Sequence, residues 1–424
     1  MKKVLIITYY WPPSGGAGVQ RWLKFAKYLP KFGWQPIILT VDPKYASYPQ
    51  RDESLSKEVG SDCLVFTTKS FELYNLYKFI SGKKEVPYGG FANESKEGIL
   101  QKVSKFMRGN FLLPDPRKGW NKYAMKKAAE LIKLHHIQTV VTTSPPHSTQ
   151  LIGMMLKLRF KIRWIADLRD PWTDIYYYNQ FHHTALARKI DKAYERVVVE
   201  NADLLITVSE DVKRIFAEKS NLPIAAKTVV IPNGFDEDDF RISSFPIESR
   251  KTITYTGTIS DAYEVDCLLE ALCLLSEDLK SQLRIRFVGK VPNSIEKKFR
   301  STGLEVELVG YVDHPKSIEY LFRSDLLLLV IPKVKNNMGI LTGKFFEYLA
   351  SKKPILAIGP TDGDLAKIIL ETNCGKLFDY NDMDGMLLFI QEKLENRRTA
   401  SFPETAHQYS RKELTRKLSG LFEA

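Results

Sequence analysis

The sequence predicts an α/β protein built from two doubly wound domains, each with a parallel β-sheet. The chain has 424 residues, which is more than a single hydrophobic core usually serves. Short apolar runs alternate along it with helical patterns, which is typical of strand–helix–strand units. This alternation begins again near residue 235, and the restart indicates a second domain with its own sheet.

The first domain is predicted from a strand, a helix and a strand in succession. Lys3–Thr8 and Pro36–Val41 are short apolar runs rich in β-branched residues, and both have strand length. Between them, the apolar residues of Val19–Phe32 recur at helical spacing. Three further strands are predicted in this half of the chain, at Thr139–Thr143, Arg163–Ala166 and Leu204–Val208.

The second domain is predicted from the same alternation. Lys251–Tyr255 has the composition of a strand, and the apolar residues over 264–275 recur at helical spacing. The segment Pro232–Pro246, which is rich in acidic residues and turn formers, is the predicted linker. Ser410 and Glu413 have the spacing of a capping box and predict a last helix. Three more strands are predicted at Arg284–Val288, Leu326–Ile331 and Pro354–Ile358.

The composition is that of a soluble globular protein, with 44% hydrophobic and 26% charged residues. The four cysteines show no CxxC spacing, so we expect reduced thiols in the cytoplasm. No apolar run approaches the roughly 20 residues of a membrane helix, and the run Val4–Thr8 is too short for a signal peptide. Neither an HExxH motif nor paired Cys/His spacing is present, so no metal site is predicted.

The positive charge lies mainly in the first half of the chain. Of the formal net charge of +12, about +11 falls in residues 1–240. Within that half, residues 69–127 combine 13 basic with 5 acidic side chains and several aromatic residues. Such a mixture suits an anionic acceptor or a membrane interface, and we expect peripheral attachment to the inner face of an anionic cell membrane. The alternative is a generic basic surface, with solvated lysines on a packed excursion.

A glycine-rich loop follows the first predicted strand and precedes the first predicted helix. Gly15, Gly16 and Gly18 would let the backbone approach a ligand closely, and the helix N-terminus would attract a phosphate or a sugar diphosphate. A dinucleotide fingerprint needs a third glycine where Arg21 stands, although Asp42 occupies the expected place of a ribose-binding acid. A turn without a ligand is the structural alternative.

Two polar clusters follow later strands of the first domain. His147 comes after the strand at Thr139–Thr143, so it should lie at the carboxyl edge of the sheet, where such sheets bind ligands. Asp167, Arg169 and Asp170 follow the next strand and could bind hydroxyl groups or orient an acceptor. The alternatives are a structural histidine and an internal salt bridge with a helix cap.

The most specific pattern lies in the second domain, at Thr342, Gly343, Lys344 and Glu347. A glycine loop with a hydroxyl group and a lysine opens a helix there. A loop NH group, Thr342 and Lys344 can hold a diphosphate, and Glu347 can accept two hydrogen bonds from a ribose diol. The alternatives are a capping role for Glu347 toward Thr342 and a solvated helix charge.

Together these motifs resemble those of glycosyltransferase family 4, whose members have the GT-B architecture of two Rossmann-like domains facing across a cleft. The resemblance extends over nearly the whole chain, and the branch that it most resembles serves bacterial surface-polysaccharide biosynthesis. It rests on eight motifs in the family's order: YYWPPSGGAGVQRW, TSPPHSTQLIG, WIADLRDPW, ITVSEDV, VIPNGFD, ITYTGTIS, RFVGK and TGKFFEYLASKKPILAI.

The resemblance implies retaining transfer of a sugar from a nucleotide-sugar donor to a saccharide or lipid-linked acceptor. It implies no metal and no other cofactor, and we expect no nucleic-acid partner. The acceptor would bind an N-terminal domain of residues 1–235, and the donor a C-terminal domain of residues 236–402. Residues 403–424 would form a helix that crosses back to the first domain.

The resemblance also implies the role of each site residue. The catalytic residues would be His147, Asp170 and Lys344, with the lysine countering the charge of the diphosphate. Asp167 and Arg169 would lie on the acceptor side. The donor would be bound by residues of both domains: Gly15, Gly16, Gly18, Gly257, Thr258, Gly289, Lys290, Thr342, Gly343 and Glu347.

Two positions depart from the family pattern. Gly339 stands where the family often has the first of two glutamates, and Thr258 stands where it often has an arginine. Two other enzymes also fit the residues, a nucleotide-sugar epimerase on the same fold and an NAD-dependent oxidoreductase. A non-catalytic binding protein on a degenerate transferase scaffold, for which Gly339 argues, is the third alternative.

Overall fold

The computed structural model describes residues 1–72, 99–241, 245, 248–395 and 404–423; the side chains of residues 17 and 99–104 are not described. The chain divides into two compact units. The first comprises Met1–Pro232 and Leu414–Ala424, and the second comprises Asn233–Glu413. Of the basic and aromatic stretch predicted over residues 69–127, residues 73–98 lie outside the described residues.

The first unit contains a parallel sheet whose strand order is β3-β2-β1-β4-β5-β6-β7. The order reverses between β1 and β4, and ligands of open α/β sheets bind beyond the carboxyl ends of strands at such a point. The strands are β1 Lys2–Ile7, β2 Trp34–Val41, β3 Leu64–Thr68, β4 Thr139–Ser144, β5 Arg163–Leu168, β6 Leu204–Thr207 and β7 Thr228–Val230.

Helices connect these strands, and the sheet is buried on both faces. In β1, Val4 and Ile6 join one hydrophobic cluster, whereas Leu5 and Ile7 join another. This alternation explains the continuous apolar run in the sequence, since both faces of a parallel sheet are covered. The described α-helices of this part are α1 Ala17–Tyr28, α2 Ile99–Phe111, α3 Asn121–His135, α4 Ser148–Arg159, α5 Ala185–Asn201 and α6 Glu210–Ala217.

The second unit repeats the same topology, with a parallel sheet of order β10-β9-β8-β11-β12-β13. The order reverses between β8 and β11. Alternate residues of β11 again enter two different hydrophobic clusters. The strands are β8 Lys251–Thr256, β9 Leu283–Val288, β10 Glu305–Leu308, β11 Leu326–Val330, β12 Ile355–Ile358 and β13 Gly375–Phe378. The helices are α7 Asp266–Cys273, α8 Glu277–Gln282, α9 Asn293–Arg300, α10 His314–Phe322, α11 Gly343–Ser351, α12 Asp364–Thr372 and α13 Met383–Glu395.

The last helix, α14 (Arg411–Gly420), supplies apolar side chains to the core of the first unit. Leu414, Leu418 and Phe422 join the same hydrophobic cluster as one face of β1. The ring of Phe422 packs edge-on against Trp34, with 5.0 Å between ring centroids. The Ser410 hydroxyl accepts a hydrogen bond from the backbone N–H of Glu413 at 3.2 Å, as one half of a capping box requires.

The predicted fold class, an α/β protein with two parallel-sheet units of Rossmann-like topology, is confirmed. Every predicted strand is present, but β3, β7, β10 and β13, which lie at the edges of the two sheets, were not predicted. The helix predicted over Val19–Phe32 ends at Tyr28 and continues as a 3₁₀ turn, Leu29–Phe32, because Pro30 has no N–H to continue the helical bonding. Among the described helices, none has both the length and the apolar character needed to cross a membrane.

Candidate functional site

Two glycine loops meet at the carboxyl ends of β8 and β9 in the second unit. Gly257 follows β8 with φ +91°, and Gly289 follows β9 with φ +140°. The backbone N–H of Gly257 donates to the carbonyl of Val288 at 2.8 Å. A Cβ atom at Gly289 would lie 2.2 Å from the carbonyl oxygen of Gly257. Only glycine therefore fits at position 289, and the two loops form one surface.

Lys344 lies against this surface. Its Nζ donates to the Tyr255 hydroxyl at 2.7 Å and lies 4.1 Å from the centroid of the Tyr255 ring. A Cβ atom at Gly257 would lie 3.3 Å from the same Nζ. Burial lowers the pKa of Lys344 to about 7, and the charge of Glu347 only partly opposes this effect. A bound anion would reverse the shift, because it would stabilise the ammonium form.

Glu347 is held by a histidine that the sequence analysis did not identify. Its Oε1 lies 3.1 Å from Nε2 of His314, the first residue of α10, and both side chains are partly exposed. The two residues are 33 positions apart, so neither motif spacing nor helical periodicity connects them. The histidine thereby orients the Glu347 carboxylate. Thr342 makes no side-chain cap, so the structure shows no capping box between Thr342 and Glu347.

The N-terminus of α11 completes the candidate site of the second unit. Thr342 is its N-cap residue and Gly343 its first residue; within the part of the chain that is described, the buried Thr342 hydroxyl has no hydrogen-bond partner. The Tyr348 hydroxyl accepts a hydrogen bond from the backbone N–H of Thr256 at 2.8 Å, which fixes the helix to β8. Helix N-terminal N–H groups bind anions. Thr342, Gly343 and Lys344 therefore provide a hydroxyl, a helix N-terminus and an amine around one place.

Two other predicted donor residues act here through their backbone. The carbonyl of Thr258 accepts a hydrogen bond from the Tyr255 hydroxyl at 3.0 Å. The carbonyl of Lys290 accepts one from the N–H of Ile259 at 3.1 Å, while the Lys290 side chain is exposed. These bonds tie together the loops that follow β8 and β9.

In the first unit, the glycine loop is fixed by its neighbours. The N–H of Gly15 donates to the carbonyl of Gln50 at 3.0 Å, and Gly16, with φ +95°, precedes α1. Helix α1 has no side-chain N-cap and no acidic residue in its first turn. Its N-terminus is therefore suited to an anion.

Arg169 joins this loop to the end of β4. Its guanidinium donates to the carbonyls of Gly18 at 2.7 Å, Ser144 at 2.9 Å and Pro145 at 3.2 Å. A Cβ atom at Gly18 would lie 3.2 Å from the Arg169 guanidinium. Since three of its donors are engaged by backbone carbonyls, Arg169 positions loops of the first unit.

Asp167 is fully buried and belongs to the interior. Its carboxylate accepts hydrogen bonds from Arg21 Nη2 at 3.0 Å, Trp22 Nε1 at 2.7 Å and Thr143 Oγ1 at 2.7 Å. These surroundings favour the internal salt bridge that the sequence left open as the alternative to an acceptor contact. The arginine that interrupts the dinucleotide fingerprint is thus the structural partner of Asp167.

His147 and Asp170 lie at the carboxyl ends of β4 and β5. The His147 ring stacks on Trp172, with 4.4 Å between centroids and 13° between planes. Burial, followed by the charges of Arg169 and Lys219, lowers the pKa of His147 to about 3, so the imidazole is neutral. Burial also raises the pKa of Asp170, with Arg169 opposing it. No hydrogen bond to the Asp170 carboxylate comes from any described residue.

Two family models match the chain. Residues 91–239 match the model described as Glycosyltransferase Family 4, and residues 236–413 match the model described as Glycosyl transferases group 1. No curated protein sequence matches the chain.

Several solved structures share the fold at low sequence identity. A sucrose-phosphate synthase from Thermosynechococcus elongatus is 15% identical to this chain, with a TM-score of 0.62. The match covers 100% of this chain and 98% of the synthase chain. HepE from Anabaena, solved in complex with UDP-glucose, is 14% identical with a TM-score of 0.61, and both chains are covered fully. WaaG, a glycosyltransferase involved in lipopolysaccharide biosynthesis, is 15% identical with a TM-score of 0.55, covering 99% of each chain.

Proposed function

We propose a specific reaction for this chain from the premise that it belongs to the family 4-like glycosyltransferases of GT-B fold. The reaction moves a sugar from a nucleotide-sugar donor to a saccharide or lipid-linked acceptor, with retention of anomeric configuration. We place it in the cytoplasm, in the biosynthesis of a bacterial surface polysaccharide.

The donor side of the proposal is carried by one observation in the second unit. The Nζ atom of Lys344 lies 3.3 Å from the position that a Cβ atom at Gly257 would take. Lys344 is at the start of α11, and the loop of Gly289 adjoins that of Gly257. Departure of a nucleoside diphosphate develops negative charge, and an amine with a helix N-terminus stabilises it. These groups supply the positive charge that a metal would otherwise provide, so we propose transfer without a metal. The HepE complex with UDP-glucose supports a donor of this class on the same fold.

The ribose is proposed to bind Glu347. Its Oε1 is oriented by His314, which leaves the second carboxylate oxygen and the remaining lone pairs for the ribose diol. This contact does not change during the reaction, so it contributes to binding rather than to the chemical step.

The acceptor is proposed to bind the first unit beside His147 and Asp170. The imidazole is neutral, so its Nε2 can donate or accept a hydrogen bond according to the tautomer. Stacking on Trp172 fixes the plane of the ring. The Asp170 carboxylate, without a hydrogen-bond partner among the described residues, can stabilise the oxocarbenium-like sugar electrostatically. Both groups lie at the edge where the sheet order reverses.

Peripheral membrane attachment is supported by an exposed surface on α2 and α5. Phe106, Met107 and Phe111 of α2 are exposed, and so are Leu186 and Ile190 of α5. The two helices are joined at this surface by a hydrogen bond from the N–H of residue 184 to the Asn110 side chain at 2.7 Å.

The charges on α5 favour an anionic bilayer over a protein partner of mixed charge. Four basic residues are exposed on this helix, whereas Asp191 and Glu195 are buried and Glu200 is partly buried. Exposed apolar side chains together with basic ones are typical of interfacial helices. The exposed basic residues are Arg188, Lys189, Lys192 and Arg196.

Co-sedimentation with anionic vesicles tests the attachment. Each Lys or Arg near an anionic surface contributes about 1 kcal/mol, so Lys189→Gln with Lys192→Gln should weaken vesicle binding by about tenfold or more. The matched control is Lys126→Gln with Lys133→Gln, an exposed pair on α3. Equal binding by both double variants, or binding that high salt leaves unchanged, would contradict the proposal.

The transferase proposal is tested by a thermal-shift screen against nucleoside diphosphates and their sugars, followed by product analysis. A ligand at 100 times its Kd stabilises the folded state by about 2.7 kcal/mol. We expect stabilisation that Lys344→Ala abolishes, and sugar transfer only when an acceptor is added. A changed sugar in the absence of acceptor would indicate an epimerase, and stabilisation by NADH alone would indicate an oxidoreductase.

A further inference from the structure

The buried face of α5 carries two carboxylates, Asp191 and Glu195. They lie about one helical turn apart, and their exposed fractions are 2% and 1%. A buried carboxylate is unfavourable unless hydrogen bonds or a cation stabilise it. Partners of both groups lie in the segment that follows β5, which also contains Asp170 and Trp172.

Glu195 holds this segment through an ion pair. Its carboxylate accepts hydrogen bonds from the backbone N–H of Thr173 at 3.3 Å and from the Thr173 hydroxyl at 2.5 Å. The Nζ of Lys219 donates to Glu195 at 2.7 Å and to Asp174 at 2.6 Å. The charge of Glu195 is therefore balanced within the fold.

Asp191 is bound in a different way, by two aromatic side chains. The Nε1–H of Trp172 donates to one carboxylate oxygen at 3.0 Å, and the Tyr178 hydroxyl donates to the other at 2.9 Å. The Trp172 ring stacks on His147, with 4.4 Å between centroids. The Tyr178 ring stacks on His183, with 4.2 Å between centroids. Asp191 is thus connected to His147 through a single side chain, that of Trp172.

The backbone at Trp172 has a conformation that residues other than glycine rarely adopt, with φ +29°. Such a conformation persists only where the surroundings hold it, and the Trp172 side chain is 2% exposed and bonded to Asp191. The N–H of Trp172 also donates to the carbonyl of Asp170 at 2.8 Å. The contacts that hold Trp172 therefore also place Asp170.

We propose that Asp191 is a positioning residue for the acceptor side of the site. Its carboxylate fixes the indole of Trp172, and the indole in turn fixes the plane of the His147 imidazole. Asp191 acts through these two rings and does not bind the acceptor. This inference rests on the proposed transferase function, in which the acceptor binds beside His147.

The titration of His147 tests the proposal without a donor or an acceptor. Burial is the largest of the effects that lower the pKa of His147 to about 3, so the wild-type ring should not titrate between pH 5 and pH 8. Asp191→Leu removes both acceptor oxygens, so the indole loses its partner, the stack opens and water reaches the imidazole. The pKa of His147 should then rise to about 5 or above, toward its ordinary value of about 6.5.

The sign of this change separates a movement of the ring from an electrostatic effect. Loss of the Asp191 charge alone would lower the pKa of His147, because a nearby carboxylate favours the imidazolium. NMR of protein that contains ¹³C-labelled histidine measures the titration. The His147 signal is identified by its loss in His147→Gln.

Two conservative variants should leave His147 as it is in wild type. The amide of Asp191→Asn can accept from Trp172 and donate to the Tyr178 oxygen. The same contacts remain possible when wild-type Asp191 is protonated, which burial favours by raising its pKa to about 6. Tyr178→Phe is the matched control, because it removes the other hydrogen bond to Asp191 and keeps the bond from Trp172.

A second variant keeps the test decisive if Asp191→Leu fails to fold. Trp172→Phe removes the Nε1–H and retains an aromatic ring, so His147 should titrate in it as well. The proposal is overturned if His147 titrates in wild type, or if it titrates in Asp191→Asn or Tyr178→Phe as it does in Asp191→Leu. A ring that stays neutral in Asp191→Leu, or in Trp172→Phe where the first variant does not fold, would also overturn it.

The transferase proposal is judged separately, by nucleotide-sugar binding to the wild-type protein. The groups around Lys344 belong to the second unit. Asp191→Leu should therefore leave that binding intact.

Discussion

Binding of the nucleotide-sugar should take up a proton, and Lys344 should be the residue that accepts it. In the ligand-free protein, burial lowers the pKa of Lys344 to about 7. A diphosphate beside the ammonium group should return this pKa toward its ordinary value of about 10.4. At pH 8 the free amine is protonated in roughly one molecule in ten, so donor binding should take up about 0.9 proton. At pH 6 the corresponding uptake is about 0.1 proton.

The same shift predicts how the stability of the second unit depends on pH. A pKa difference of about 3.5 corresponds to about 5 kcal/mol of destabilisation, and this is an upper bound because Lys344 is partly exposed to water. The cost is fully present below pH 7, where the folded and unfolded states are both protonated. It disappears as the pH rises to about 10.4, because over that range the unfolded state holds more protons.

Calorimetry in buffers of different ionisation enthalpy measures the proton uptake directly. The nucleotide-sugar is the suitable ligand, since its phosphodiester oxygens do not titrate between pH 6 and pH 8. Thermal melting of wild type and Lys344→Met at pH 6 and pH 10 measures the stability. The Tm of the variant minus the Tm of wild type should be several degrees higher at pH 6 than at pH 10. The variant lacks the hydrogen bond to Tyr255 at both pH values, so the effect of that loss on the Tm cancels in the comparison. An uptake that is independent of pH, or that persists in the variant, would refute a neutral Lys344.

Three further substitutions test other parts of the site and fold. Glu347→Gln should raise the donor KM by about ten- to a hundredfold with little change in kcat. His314→Ala should raise the donor KM by about fivefold, and His314→Gln should partly restore it. An unchanged donor KM in both Glu347→Gln and His314→Ala would exclude the ribose contact. Gly289→Ala should lower both the Tm and donor binding, since its Cβ would lie 2.2 Å from a carbonyl oxygen. The control is Gly303→Ala, whose Cβ would stand in open space, so it should lower the Tm and donor binding less. Asp167→Asn should destabilise the first unit by about 3–5 kcal/mol in urea unfolding, because it removes the buried carboxylate charge that forms an ion pair with Arg21. A change below about 1 kcal/mol would contradict that account.

The fold could be predicted from the sequence because its signals are local. Each central strand is a continuous apolar run buried on both faces, as β1 and β11 illustrate. Lys344 could be placed at a helix start because Thr342 and Gly343 precede it directly. The strands that were missed, β3 and β10 among them, carry polar or charged residues and lie at the edges of their sheets. Their apolar patterns are therefore weak.

The contacts between distant residues could not be predicted in this way. His314 meets Glu347 only because α10 and α11 pack together, and no sequence spacing records that contact. Asp167 was expected on the acceptor side because it follows a strand, yet it is the last but one residue of β5 and lies inside the sheet. A shift of one or two residues along a strand end decides between a ligand contact and a core position.

We propose that a buried charge with a complete ion pair is structural in this protein, whereas a buried cation without one serves a ligand. Asp167 and Arg21 are both fully buried and form an ion pair, and Asp167 also accepts hydrogen bonds from Trp22 and Thr143, so the pair has little to offer a ligand. Burial also lowers the pKa of Lys344, but this side chain forms no ion pair within the described residues. The ammonium form of Lys344 is therefore unfavourable until an anion binds. A cation of this kind contributes most where negative charge develops, which is why perturbed groups gather at reactive sites. On this argument, we propose that the diphosphate leaves beside Lys344.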